Sequence, residues 1–232
     1  MSSSHMKRLA MPRSWPLTRK SEVWISRPRP SGHPIDRCMA IGVILRDVIG
    51  VAKSMREAKL ALATRRILVD GKIVTDMRRA VGIMDVLSVG DEHYRCILDD
   101  NGKLRYRSIS AKEAKLKLCR IDGKTTIKGG VTQLNLHDGR NILLDDANKY
   151  NTQDSLVIEV ETQKVKKHHK FESGANCYLI GGNHIGSIAQ MKEYIVKRSS
   201  KDNEVIFDDF GTISDHVFVV GDATLPLSEV SE

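Results

Sequence analysis

Arg56, Lys59 and Arg66, with Lys53, Arg65 and Lys72 close by, are the side chains whose types and spacing suggest a chemistry. Guanidinium and ammonium groups gathered on one short stretch neutralise phosphate and release its counterions, the main drive for binding a nucleic-acid backbone. An ordinary solvated helix face presents three cations just as readily, so the wider charge distribution has to decide. Residues 1–80 carry 17 Lys and Arg against 6 Asp and Glu, a net of +11; the whole chain is +8, so the other 152 residues sum to −3. Basicity confined to one third of the chain fits a phosphate-backbone partner. An anionic membrane is the competing polyanion, but no amphipathic helix with a broad apolar face accompanies the charge.

The elements that must hold these cations follow from the local pattern. Ser54 and Glu57 form a capping-box pair, which predicts a helix from Met55. Met55, Ala58 and Leu62 recur at spacings of three and four and share one face, leaving Arg56, Lys59 and Arg66 to line another. Ile67-Leu68-Val69 and Ile73-Val74-Thr75 are strand-like runs separated by Asp70-Gly71, a pair suited to a tight turn with positive φ. Residues 39–51 are nearly continuous in apolar side chains and are expected to form a buried helix against the Ala58/Leu62 seam. The sum is a small helix-helix-hairpin module.

A second informative stretch is residues 171–191, where strand-like runs flank Gly181-Gly182-Asn183-His184-Ile185-Gly186. Its glycines allow backbone conformations that side chains forbid, so the loop can turn sharply and approach a partner closely. From Asp85 onward the chain reads as short strands punctuated by Asn101-Gly102, Asp122-Gly123, Gly129-Gly130 and Asp138-Gly139, hence a β-barrel or tightly curled sheet. Ser110-Ala111-Lys112-Glu113 is another capping box, followed by an expected short basic helix over residues 114–118. The run Val165-Lys166-Lys167-His168-His169-Lys170 suits a phosphate-contacting linker or a solvated charge run equally. The first 36 residues, rich in proline and arginine, lack apolar periodicity and should be extended. Trp15 there is as suited to stacking on a base as to anchoring the segment on its own domain, with Arg13, Arg19 and Trp24 as further contacts. The opening Met1-Ser-Ser-Ser-His-Met6 matches a cloning remnant as well as a native start. Residues 221–232 lack basic side chains and are expected to be a mobile acidic tail.

Catalysis finds little support. Asp99-Asp100, Asp145-Asp146 and Asp208-Asp209 are adjacent carboxylates, but strand neighbours face opposite ways and turns favour aspartate anyway. The histidines lack metal-binding spacing, and no nucleophile elbow or phosphate-binding loop occurs. Neither cofactor nor metal is expected. Cys38, Cys96, Cys119 and Cys177 show no CxxC spacing and read as reduced thiols. With no apolar run of membrane-spanning length and no leader-like segment, a cytosolic chain is expected.

Two resemblances sharpen this reading. Residues 46–89 resemble the S4-type RNA-binding module, a capped helix leading into a valine-rich hairpin, here Ile67-Leu68-Val69-Asp70-Gly71; Arg65 replaces its usual glycine. The resemblance implies RNA contact by Lys53, Arg56, Lys59, Arg65, Arg66 and Lys72, with Arg78 and Arg79 as additions. Residues 171–191 are similar to the KOW motif, implying a loop of Gly181, Gly182, Asn183, His184 and Gly186 against nucleic acid or protein; Ala189 stands where many members have glycine. Their order, after Lys7-Arg8-Leu9-Ala10-Met11-Pro12-Arg13 and Arg27-Pro28-Arg29-Pro30, resembles the archaeal and eukaryotic S4e family of small-subunit ribosomal proteins over residues 6–220.

That resemblance implies an α+β multidomain chain: a basic extension (1–36), an S4-type module (37–90), a β-rich central domain (91–170), an SH3-like KOW barrel (171–220) and the tail (221–232). It implies a structural role in the cytoplasmic small ribosomal subunit, with ribosomal RNA and neighbouring ribosomal proteins as partners and neither membrane nor small-molecule substrate. Lys7, Arg8, Arg13, Arg19, Arg27 and Arg29 join the RNA-contact set. An RNA-modifying enzyme or a KOW-type transcription factor carrying the same modules is the alternative. The short chain and acidic end look more archaeal than eukaryotic.

Overall fold

The computed structural model describes residues 4–144 and 148–221. The Asp145-Asp146 pair and the expected tail beyond Gly221 lie outside the described residues. The fold is rich in β structure with few helices, and the chain divides into two compact units: residues 1–98, 103–117 and 160–162, and residues 99–102, 118–159 and 163–232.

In the first unit an antiparallel sheet runs in the order Lys72–Ile73, Ile67–Val69, Val86–Val89, Glu92–Leu98, Leu104–Ile109. Two smaller ribbons pair His5–Lys7 with Trp24–Ser26 and Cys38–Ala40 with Ala80–Gly82. The strands of the first ribbon are extended, as expected of the N-terminal segment, but paired with each other. Trp15 is 1% exposed and donates its indole N–H to the Cys38 carbonyl at 2.9 Å, so it anchors the segment on its own unit.

Residues 39–51 do not form one helix. Met39 and Ala40 belong to the strand Cys38–Ala40, and a helical turn at Ile41–Val43 continues as the π-helix Ile44–Val48. A continuous apolar run carries no period to separate strand from helix. Ile41, Ile44 and Leu45 are fully buried, as are Ala58 and Leu62 of the helix Met55–Ala63, so that helix does present a buried seam. It ends three residues before Arg66, which therefore lies beyond the helix face assigned to it.

The second capping box is present: Ser110 Oγ accepts the Glu113 N–H at 3.4 Å, and Glu113 returns a carboxylate oxygen to the Ser110 N–H at 2.9 Å. The helix it starts is only Ala111–Ala114. Residues 116–118, expected to be helical, open the long strand Leu116–Thr126; alternating Leu116, Leu118 and sheet partners override a local helical pattern. Asp122-Gly123 likewise makes no turn: it sits inside that strand, where the register slips between Ile121 and Gly123 as a bulge.

In the second unit, the sheet order is Asn141–Leu144, Thr132–Leu136, Leu116–Thr126, Ser155–Glu159, Val165–His169. It closes over Cys119, Ile121, Leu134, Leu136, Leu156 and Ile158. Residues 165–170 are thus mainly an edge strand of this sheet. His168 there lies 2.7 Å from the buried Asp154, while Lys166 and Lys167 stay exposed. Two three-stranded sheets, one around Asn176–Leu179 and one around Glu204–Ile206, enclose Cys177, Leu179, Val205, Phe207, Val217 and Val219.

Candidate nucleic-acid interface

The helix Met55–Ala63 begins where its capping residue dictates. Ser54 has extended backbone and its Oγ accepts the Glu57 N–H at 3.3 Å, while the Glu57 carboxylate accepts the Lys53 N–H at 2.7 Å. Both satisfy donors that a helix start leaves open. Ala58 and Leu62 then fall on the core side, and Arg56 and Lys59, three apart, are exposed along with Lys53.

The helix stops at Thr64, and Arg65 takes the left-handed conformation at φ 59°. That conformation usually selects glycine at a helix end. Here an arginine occupies it, adding an exposed cation to the turn; Arg66 follows, also exposed. The chain then enters the hairpin, with Val69 opposite Lys72 and Leu68 opposite Ile73. Asp70 and Gly71, at φ 49° and 71°, form the two-residue turn. Lys72 projects, exposed, from its far side.

Asp70 is more than a turn former. Its carboxylate accepts the Val86 N–H at 2.9 Å and an ammonium hydrogen of Lys117 at 2.7 Å. Lys117 also reaches Asp85 at 2.5 Å, and Asp85 lies 3.0 Å from His33 Nε2 and accepts the Gly82 N–H at 2.8 Å. Lys117 is wholly buried. Burial pushes the Asp85 carboxyl up, but Lys117, His33 and the Gly82 N–H together hold it well below the usual carboxylate range. This network fixes the hairpin to the strand Val86–Val89 and to the start of Leu116–Thr126. Sequence reasoning missed it because its members are far apart in the chain. A lysine in the apolar run Leu116-Lys117-Leu118-Cys119 is the signal that could have exposed it, since lysine is rarely buried without a partner.

The N-terminal cations fare differently. Lys7 sits over the Trp24 ring at 3.7 Å. Arg8 is buried, donating to the Thr18 carbonyl at 2.6 Å and lying 3.4 Å from Glu22. Arg19 donates to the Leu9 carbonyl at 2.9 Å, and Arg29 pairs with Asp76 at 2.9 Å. Arg13, Arg27 and Arg79 are exposed, and Arg78 is half-buried.

In the second unit, residues 180–187 link the paired strands Asn176–Leu179 and Ile188–Gln190, with Cys177 opposite Ala189. A Cβ on Gly181 would collide with the His216 ring, and one on Gly186, at φ 86°, with the Asp99 carbonyl. These glycines are therefore required. Asn183 and His184 are exposed, and the His184 ring stacks on Phe210 with centroids 4.0 Å apart. The two halves of the sequence-derived site are thus a cation-bearing helix and hairpin in one unit and a glycine-rich loop in the other.

Comparison with known proteins places the chain. The model of the Ribosomal family S4e matches residues 90–165, and that of the RS4NT (NUC023) domain matches residues 2–36. The chain is similar to the small ribosomal subunit protein eS4 of Methanocella arvoryzae, 37% identical over 227 residues, covering 95% of both chains. The protein of the same name from Methanosphaera stadtmanae is 39% identical over 226 residues, covering 95% of this chain and 93% of its own. The crystal structure of the 30S ribosomal protein S4e from Thermoplasma acidophilum superposes with a TM-score of 0.72 at 30% identity, covering 83% of this chain and 99% of that one. A cation-rich β fold matched over nearly its whole length by such relatives has one assignment: the chain belongs to the S4e family of small ribosomal subunit proteins.

Proposed function

We propose that the chain is a structural constituent of the small subunit of the cytoplasmic ribosome, where it binds and organises ribosomal RNA beside neighbouring ribosomal proteins. The observation that carries this is the helix Met55–Ala63, whose buried side is Ala58 and Leu62 and whose exposed side includes Arg56 and Lys59, in a chain of the S4e family. Lys53, Arg65, Arg66 and Lys72 extend the cationic surface from the helix ends onto the hairpin. In this reading residues 37–90 act as an S4-type module and residues 171–220 as an SH3-like KOW barrel. Residues 1–36 are the basic extension, residues 91–170 the central domain and residues 221–232 the tail. Arg8, with its guanidinium turned onto its own unit, supports the extension's shape, and Arg13 and Arg27 are its better-placed contacts. Phosphate contacts position the protein, and RNA shape and splayed bases supply discrimination.

Relatives named as ribosomal proteins across about 95% of the chain leave the RNA-modifying enzyme and the KOW-type transcription factor unfavoured. The test is sedimentation of source-cell lysate through sucrose at magnesium that separates the subunits, followed by a high-salt wash. Stoichiometric, wash-resistant recovery with the small subunit is expected. Recovery at the top of the gradient, or with RNA polymerase, overturns the reading.

A further inference from the structure

The segment Arg27-Pro28-Arg29-Pro30 runs beside Arg78 and is bonded to it in both directions. The Arg29 N–H donates to the Arg78 carbonyl at 2.8 Å, and Arg78 Nε donates to the Arg27 carbonyl at 3.0 Å. Asp76 fixes the arrangement, with one carboxylate oxygen 2.9 Å from Arg29 Nε and the other accepting the Arg78 N–H at 3.0 Å.

What this clamp leaves is a cleft of about 150 Å³ whose walls include Arg27, Arg78, Pro30 and Ile35 and whose lining also includes Ser31 and Cys38. Arg29 and Pro30 also line a second hollow of about 410 Å³, together with Lys72, Ile73 and Arg79. Burial pushes the Cys38 thiol up to about 12, so the lining thiol stays neutral and adds no negative charge.

Neutralising a phosphate backbone needs only an open cationic surface. A concavity that joins cations to proline and isoleucine walls offers apolar surface, which suits a base or a ribose and gives nothing to a phosphate. A duplex is too wide to enter, whereas unpaired nucleotides can be splayed out into such a site. We propose that the cleft between Arg27, Arg78, Pro30 and Ile35 receives one unpaired nucleotide of ribosomal RNA, its phosphate on the arginines and its base or sugar against Pro30 and Ile35. This rests on the RNA-binding reading above and adds to it a site of nucleotide discrimination. The Arg56/Lys59 face, by contrast, lies open on a helix surface and suits phosphate contact.

The test is nucleotide-by-nucleotide chemical probing of an archaeal small-subunit ribosomal RNA transcript with the full chain and with Arg27→Ala, Ile35→Ala and Arg56→Ala/Lys59→Ala. Arg27 and Ile35 are exposed, so unchanged thermal melts are the control for folding. Both cleft variants are expected to lose protection of the same one or two unpaired nucleotides while the rest of the footprint persists. Arg27→Ala should also flatten the log–log salt dependence by about 0.7, and Ile35→Ala should leave it unchanged. A wild-type footprint from both cleft variants overturns the proposal. Loss with Arg27→Ala alone reduces the site to a surface phosphate contact and overturns it too. If the helix variant weakens binding while the cleft variants change nothing, the RNA-binding reading stands and the cleft does not. No footprint from the wild-type chain overturns both.

Discussion

Lys117 Nζ lies 2.7 Å from Asp70 Oδ2, joining the start of one long strand to the turn of the hairpin that carries Lys72. With Asp85 at 2.5 Å the same ammonium group serves two carboxylates in a place without solvent. Removing one member of a buried ion cluster costs far more than the cluster itself contributes, because the remaining charges stay buried without compensation. Lys117→Met is therefore expected to lower unfolding free energy by about 3–5 kcal/mol. Urea unfolding reads this directly. Lys117→Arg should not restore wild-type stability, since a planar guanidinium does not occupy the position of a compact ammonium.

Asp85 sets the acid limit of the same network. Burial raises its pKa, but Lys117 and His33 lower it further than burial raises it, so the folded value lies well below the usual one. A depressed folded value means that the stabilisation is complete above the unfolded value of about 3.9 and is lost as pH falls towards the folded value. Thermal melts should show this contribution flat between pH 7 and about 5 and falling below about 4. Asp85→Asn should be less stable at neutral pH and lose less on acidification. A parallel pH profile for the two proteins would remove Asp85 from this role.

Arg65 trades backbone comfort for charge. A non-glycine residue in the left-handed region is strained by roughly 1–2 kcal/mol, partly offset because glycine makes the unfolded chain more flexible by about 0.4–1 kcal/mol. Arg65→Gly is thus expected to match or exceed the wild type in melting temperature while binding ribosomal RNA more weakly. Calorimetry and a filter-binding titration on one preparation separate the two effects. A drop in stability would show that the arginine side chain holds the turn.

The cation face has a signature in salt. Replacing Arg56, Lys59 and Arg66 together by alanine should flatten the slope of log affinity against log salt by about 2 on single-stranded RNA, near 0.7 for each lost phosphate contact. Since all three are exposed, the melting temperature should barely move. An unchanged slope between about 50 and 200 mM salt would place the RNA elsewhere.

Gly186→Ala tests the loop in the second unit. Its φ of 86° and the nearness of the Asp99 backbone mean that a methyl group must displace main chain, which cannot yield as a side-chain tip would. Destabilisation above about 1 kcal/mol is expected. Gly129→Ala, equally positive in φ but with open space around its Cβ, is the comparison that isolates the collision from the strain.

What the sequence made legible was local. Ser54 with Glu57 located the helix, Asp70-Gly71 located the turn, and Ala58 with Leu62 identified the buried side, because each depends on residues a few positions apart. Met39 and Ala40 were misread because an unbroken apolar run has no period, and their strand is set by pairing with Ala80 and Val81 forty residues later. Residues 116–118 were misread because a sheet decided them, and Asp122-Gly123 because a bulge and a turn use the same residues. The cleft at Arg27 and Arg78, and the network joining residues 33, 70, 85 and 117, exist only once distant segments meet.

The four cysteines carry a practical consequence. All are buried and outside any disulfide, and burial raises the thiols of Cys38 and Cys177 to about 12 and pushes that of Cys96 up as well. Thiolate is the reactive species, so these three offer almost none to an alkylating reagent at neutral pH, and Cys119 is shielded by its burial. Each sulfur becomes available only when its surroundings open. Cys38 and Cys96 belong to the first unit, Cys119 and Cys177 to the second, so the order in which these four positions are alkylated is a built-in clock for which half of the molecule opens first.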